Sequence, residues 1–169
     1  MKQAIVISTA PGREHWVKEC LESIKSDVIV VSTGGYELGK IKWVYENTAL
    51  DRFIFLQDSI VVRNEELLLS LFNLSGSVCL MDEPECLGSY LGLYERKTLD
   101  KIDFPEVNDK EESIRQEIHW TGRYKSLCEE FHHPTPPIEH YKVFTVLKHG
   151  RPNLLYINQF YEKWKGTWR

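Results

Sequence analysis

The sequence predicts an α/β protein: a single α/β/α sandwich around a mostly parallel central sheet. Three observations predict it. Short apolar, strand-like runs recur at residues 4–8, 28–31 and 53–56, and continuous apolar runs of this length mark strands buried on both faces of a parallel sheet. The segments between them carry apolar residues at helical spacing. The third run stops on a carboxylate, in Gln57-Asp58-Ser59.

Residues 4–8 form the first expected strand, followed by the turn signal Pro11-Gly12. Over residues 15–25, Trp16, Val17, Cys20, Leu21 and Ile24 share one helical face, with Lys18, Glu19 and Glu22 on the other. Residues 28–31 are the second strand, closed by Ser32-Thr33-Gly34-Gly35. Leu38, Ile41, Val44 and Tyr45 then set a helix that ends near Asn47, and residues 53–56 are the third strand. This βαβαβ order implies parallel strands with right-handed crossovers. Open sheets of this kind bind ligands at the carboxyl ends of their strands.

Beyond Asp58 comes a second β-rich run, Ile60-Val61-Val62. Asn64 is then a good N-cap, with Glu65 and Glu66 at the positive end of a helix carrying Leu67, Leu68, Leu71 and Phe72. A strand is expected over 77–81, an acidic turn over 82–85, and a glycine-punctuated extended segment over 87–94. A short helix over 97–102 follows, then a charged helix over 109–124 with Ile114, Ile118 and Trp120 at helical spacing. A proline loop over 134–137, a late strand over 141–147 and an amphipathic tail over 159–168 complete the chain. No internal repeat, low-complexity tract or linker divides it.

At 169 residues, 42% hydrophobic and 12% aromatic, the chain is long enough to bury one substantial core. Nothing approaches the run of about 18 apolar residues that spans a membrane, so no transmembrane segment is expected. The N-terminus enters a strand directly without a secretory pattern. Cys20, Cys79, Cys86 and Cys128 show no CxxC spacing and read as reduced thiols of a cytoplasmic protein. A net charge of −4 argues against a nucleic-acid partner. The basic, aromatic C-terminal segment has two readings. Lys142, Lys148, Arg151, Lys163, Lys165 and Arg169 are interleaved with Tyr141, Phe144, Tyr156, Phe160, Tyr161, Trp164 and Trp168. Either the aromatics pack on the core with the cations in solvent, or the segment contacts a nucleotide or phosphate.

Asp58 stands where a carboxylate is costly if buried but useful beside a cation or a sugar hydroxyl; a turn cap is the plainer alternative. Arg13, in the loop after the first strand, either reaches a phosphate with its fork or is a solvated loop residue. His140 or His149 can join Asp58 on a divalent metal, or remain an ordinary polar side chain. Asp109, Glu111 and Glu112 are candidate general bases, or complement the dipole of a helix start. GxGxxG, the P-loop, GxSxG and HExxH are all missing from the sequence, against ordinary dinucleotide, ATP, serine-hydrolase and zinc-protease chemistry.

The order of these segments resembles the GT-A fold of nucleotide-sugar glycosyltransferases, especially the inverting family 2. Residues 4–13 followed by Glu19-Cys20-Leu21-Glu22-Ser23-Ile24 are similar to that family's opening strand, loop and helix. Gln57-Asp58-Ser59 falls where its DxD motif ends a strand, residues 88–99 resemble its acceptor-side segment, and Asp109-Lys110-Glu111-Glu112 lies where its catalytic acidic pair stands. The resemblance implies a Rossmann-like nucleotide-binding half (1–62) and an acceptor-side half with an aromatic tail (63–169) in one domain.

The resemblance also implies roles. Ser8, Thr9, Ala10, Arg13, Ser32, Gln57 and Asp58 would hold a nucleoside diphosphate sugar. Asp58, with Ser59, would hold Mn²⁺ or Mg²⁺. Glu112, Glu111 or Asp109 would deprotonate a hydroxyl on a glycan, protein or lipid-linked acceptor, giving inversion. Arg13, Lys148 and Arg151 would offset charge on the leaving diphosphate. Only one carboxylate stands where the motif has two, which raises a second expectation: a catalytically degenerate sugar-nucleotide or carbohydrate-binding protein.

Overall fold

The computed structural model describes residues 1–80, 90–134 and 154–164. Its elements run β1 (Gln3–Ser8), α1 (Glu14–Glu22), β2 (Val28–Val31), α2 (Tyr36–Asn47), β3 (Arg52–Gln57), β4 (Ile60–Val62) and α3 (Glu65–Ser70), which a 3-10 turn prolongs. There follow β5 (Ser77–Cys79), β6 (Gly92–Glu95), α4 (Arg96–Leu99), α5 (Lys110–Leu127), β7 (Phe131–His132), β8 (Leu154–Ile157) and β9 (Tyr161–Trp164). The acidic turn at 82–85, the loop at 135–137, the strand expected at 141–147, Cys86, His140, Lys148, His149, Arg151 and the tail from 165 onward lie outside the described residues.

Six strands form the central sheet in the order β2-β1-β3-β6-β5-β7. β1 pairs in parallel with both β2 and β3, so that Ser8 lies level with Val31 on one side and Gln57 on the other. β6 alone runs against its neighbours. The mostly parallel sheet expected from sequence is therefore present, with one reversed strand inside it.

Alternation along the strands makes the sheet apolar on both faces, as a covered sheet requires. Ile5, Ile7, Ile54 and Leu56 pack beneath Cys20 and Ile24 of the α1 region and Leu68 of α3. Val6, Phe53 and Phe55 pack on the opposite face against Leu38, Ile41 and Val44 of α2 and Trp120 and Tyr124 of α5. Tyr94 stacks on Phe53 with ring centroids 5.5 Å apart, and Trp120 stacks on Tyr124 at 5.6 Å. Truncating a buried ring of this kind typically costs about 3–5 kcal/mol.

Two local expectations change. α5 turns inward the stripe Ser113, Trp120, Thr121 and Tyr124, which leaves Ile114 52% and Ile118 50% exposed. The spacing from Ile114 to Trp120 fits a helix, but the aromatic and hydroxyl stripe wins the packing. The C-terminal segment is a strand, not only an amphipathic tail: β9 pairs with β4 and β8 in a second, three-stranded sheet. Phe160, Tyr161 and Trp164 are buried, as the packing reading of that segment expects, but Lys163 is not left in solvent: it is half-buried and bonded to Gln57 and Ser59. Cys20 and Cys79 are buried and Cys128 is half-buried, all three as free thiols, and burial pushes the Cys20 thiol up to about 12. No described helix is long and apolar enough to cross a membrane.

Candidate active site

The chain runs from β1 outward to β2, then returns past β1 to lay down β3. The crevice between the carboxyl ends of β1 and β3 is thus the point at which strand order reverses, where sheets of this class receive ligands. The ladder continues beyond both strands: the Asp58 N–H donates to the Ser8 carbonyl at 2.9 Å, and the Thr9 N–H to that of Val31 at 2.9 Å. These bonds fix Ser8, Thr9, Gln57 and Asp58 at the mouth of the sheet.

A cleft of about 470 Å³ opens there. Its wall brings together Ser8, Thr9, Ala10, Arg13, Gln57, Asp58 and Ser59 from the sequence-predicted set. Ser32 sits apart, in a larger and shallower depression on the α1 side, with Thr9 and Ala10 on the wall between the two.

Asp58 is 4% exposed and closely held. Arg13 grips it with two parallel bonds, Nε to Oδ2 at 2.6 Å and Nη2 to Oδ1 at 2.5 Å, and Thr9 Oγ1 donates to Oδ2 at 2.8 Å. A fork of this geometry is among the stronger side-chain contacts a protein makes. On either side of Asp58, Lys163 of β9 donates to the amide oxygen of Gln57 and to Ser59 Oγ. The Gln57 amide group in turn donates to Glu37 Oε1 at 3.3 Å.

The remaining wall comes from helices. α2 supplies Tyr36, Glu37 and Lys40, and α5 supplies Lys110, Ser113, Ile114 and Glu117. Burial, reinforced by the nearby charge of Glu37, raises the Glu117 carboxyl from its ordinary 4.5 to about 7. Burial lowers Lys163 to about 8 and moves Lys40 down as well, while the acidic neighbours Glu37 and Asp58 pull both the other way.

The carboxylates at the start of α5 are not part of this wall. Asp109 caps the helix by accepting from the Glu112 N–H at 2.8 Å, Glu112 pairs with Arg115, and Glu111 is exposed. None of the three is on the cleft wall. Sequence reasoning passed over Glu37, Lys40, Glu117 and Lys163. The signal for two of them was present: Glu117 falls on the stripe Ser113-Trp120-Tyr124 and Lys40 lies one turn before Val44, so each is a charge at a core-facing position.

The donor set fits a divalent cation poorly. Mg²⁺ and its relatives want several free oxygen ligands. Both Asp58 oxygens already accept from Arg13 and Thr9, and the oxygens of Gln57 and Ser59 from Lys163. Among the described residues no three His, Cys, Asp or Glu side chains are grouped to share an ion.

No protein-family model and no curated protein matches this sequence. Among solved structures, the chain is similar to residues 1–349 of S. aureus TarS, a glycosyltransferase, with a TM-score of 0.50 and 12% identity over 78% of this chain and 57% of that one. The fold is GT-A-like. A197 from STIV is also similar, with a TM-score of 0.45 and 14% identity over 62% of this chain and 70% of that one. At these identities the likeness to TarS speaks for the fold alone.

Proposed function

We propose that the cleft binds a nucleoside diphosphate sugar and that the protein transfers the sugar to an acceptor hydroxyl, with Glu117 as general base. The observation that carries this reading is a desolvated carboxyl, poised near neutrality, facing a cation-bearing cleft at the strand-order reversal of a GT-A-like sheet. In the reaction, Glu117 takes the acceptor hydroxyl proton as that oxygen bonds to the anomeric carbon. The bond from that carbon to the diphosphate oxygen breaks, and its electron pair leaves on the diphosphate. Glu117 replaces Glu111 and Glu112 in this role because it lines the cleft and they do not. Arg13 and Thr9 keep Asp58 in place as a wall of the site.

Titration with UDP-, GDP- and dTDP-sugars, followed by assay of nucleoside diphosphate release over a panel of glycan, peptide and lipid-linked acceptors, tests the reading. Binding of one donor with acceptor-dependent release supports it; no binding of any donor ends it. A second reading has its own observation: the single motif carboxylate is engaged by Arg13, which suits a protein that holds a sugar nucleotide without turning it over. Tight donor binding with no release over the whole panel selects that alternative.

A further inference from the structure

We propose that Lys40 and Lys163 form a diphosphate-binding subsite in this cleft that works without a divalent cation. The inference rests on the nucleotide-sugar reading for the nature of the ligand and adds how its charge is met.

Lys40 is the first observation. It is 5% exposed and borders the cleft, and among the described residues it makes neither a hydrogen bond nor an ion pair. Taking an ammonium out of water without a partner is costly, so such groups are rare unless something completes them. Here the position is core-facing on α2, where an apolar side chain would pack at no such cost. The open side of the ammonium faces the cleft, and an anion there completes it.

Lys163 is the second. It arrives from a different sheet, and its ammonium donates only to neutral oxygens, those of Gln57 and Ser59. No described carboxylate forms an ion pair with it. These two acceptors flank Asp58, so the ammonium holds the strand end at which a metal would otherwise gather oxygens. A lysine is a compact charge with three donors, and two directed at Gln57 and Ser59 leave one for a ligand oxygen. Glu37, Asp58 and Glu117 also face the cleft. Of these, Asp58 is neutralised by Arg13, while Glu37 keeps its charge near both lysines but forms an ion pair with neither, so Lys40 and Lys163 are the desolvated cations of the wall that no described salt bridge engages.

The test is isothermal titration of the full chain with UDP, GDP and inorganic pyrophosphate, each in EDTA and in Mn²⁺. A nucleoside diphosphate is expected to bind in EDTA with a Kd within about threefold of its value in Mn²⁺. Its affinity falls with added NaCl, as contacts between a partly open cation and phosphate do. Lys40→Met and Lys163→Met each weaken it by about tenfold or more. Lys163→Arg, which keeps a cation, retains most of it, and affinity for the bare nucleoside is unchanged in all three. Lys40→Met removes a charge that folding desolvates, so its Tm is expected to hold or rise, and lost affinity then reports a lost contact. Lys163→Met also strips donors from Gln57 and Ser59, so its affinity is read per folded molecule.

Binding that appears only with Mn²⁺, or full affinity in both Met variants, overturns the subsite while leaving the nucleotide reading in place. If no nucleoside diphosphate binds in either condition, that reading falls and the subsite with it. Where a Met variant does not fold, the EDTA comparison on the wild-type protein decides alone.

Discussion

β3 carries a buried charge at each end, and the two ends behave differently. At its start Arg52, 5% exposed, lies across the ladder from Glu95, 6% exposed, with Nε 3.6 Å from Oε1. The same guanidinium donates to the carbonyls of Phe72 at 2.8 Å and Gly76 at 2.6 Å, and the Glu95 N–H donates to the Tyr124 hydroxyl at 2.9 Å. Charge at that corner faces other parts of the fold. Just past the end of the strand, Asp58 is as deeply buried and as well paired, yet it borders an open cleft beside two lysines that no described carboxylate pairs with directly. Buried charge alone therefore does not mark a site. What distinguishes the two corners is the charge left over after the local pairs are formed.

The largest expected effect sharpens this contrast from the structural side. Arg52→Ala leaves Glu95 without its closest cation and strips donors from two carbonyls, and is expected to cost about 3–5 kcal/mol in chemical denaturation. Nucleotide affinity per folded molecule is unchanged; a loss of affinity at fixed folded fraction would erase the division between the two ends. At the other end, Glu117→Gln is expected to slow transfer by at least about 10²-fold with donor affinity retained, as loss of a general base does. The wild-type kcat/KM is expected to rise with pH up to about 7 and then level, and that limb to disappear in the variant. Activity that survives with the limb intact assigns the base elsewhere.

The same substitution has a signed effect on stability. The Glu117 carboxyl is raised in the folded protein, so between 4.5 and about 7 the native state binds more protons than the unfolded chain. Stability falls as pH rises through that window. Glu117→Gln removes the penalty, so its Tm relative to wild type is expected to be higher at pH 8 than at pH 4.5, by on the order of 1–3 kcal/mol in stability. An equal difference at both pH values refutes the shift.

Asp58→Asn keeps the shape of the strand end and removes the charge that Arg13 grips. Arg13 is 21% exposed, so water recovers part of the loss, and about 1–2 kcal/mol is expected together with weaker donor binding. Gly39→Ala is expected to cost about 1–3 kcal/mol. A Cβ there would stand 2.5 Å from the Gly34 carbonyl oxygen, forcing the first turn of α2 to shift. Because Glu37 and Lys40 sit on that turn, donor affinity falls while the Arg52 corner is untouched.

The sheet was legible because its first strands are short, continuous apolar runs, and β1 and β3 are buried on both faces, which leaves a sequence signal that context does not override. The strand-end residues Ser8, Thr9, Gln57 and Asp58 were legible for the same reason: once β1 and β3 are parallel neighbours, their ends must meet. The helix-borne half of the cleft was harder. Glu111 and Glu112 drew notice by clustering, but clustering at a helix start is satisfied locally by the cap at Asp109 and the partner Arg115. Glu117 and Lys40 carry the opposite signal, single charges on inward stripes, and that is visible only when polar residues are read against helical phase. Lys163 required knowing that β9 pairs with β4, a contact between residues about a hundred positions apart that no local pattern encodes.

That last pairing sets an order of events during synthesis. While only the first three strands have left the ribosome, Arg13 and Asp58 can already meet, but the ammonium that braces the strand end from the opposite wall has yet to be made. Lys163 arrives 104 residues after Ser59, and its strand must dock on β4 before the wall is whole. Completion of that wall is thus a late event in the life of a nascent chain. A translation product truncated before that strand lacks the lysine that joins Gln57 to Ser59.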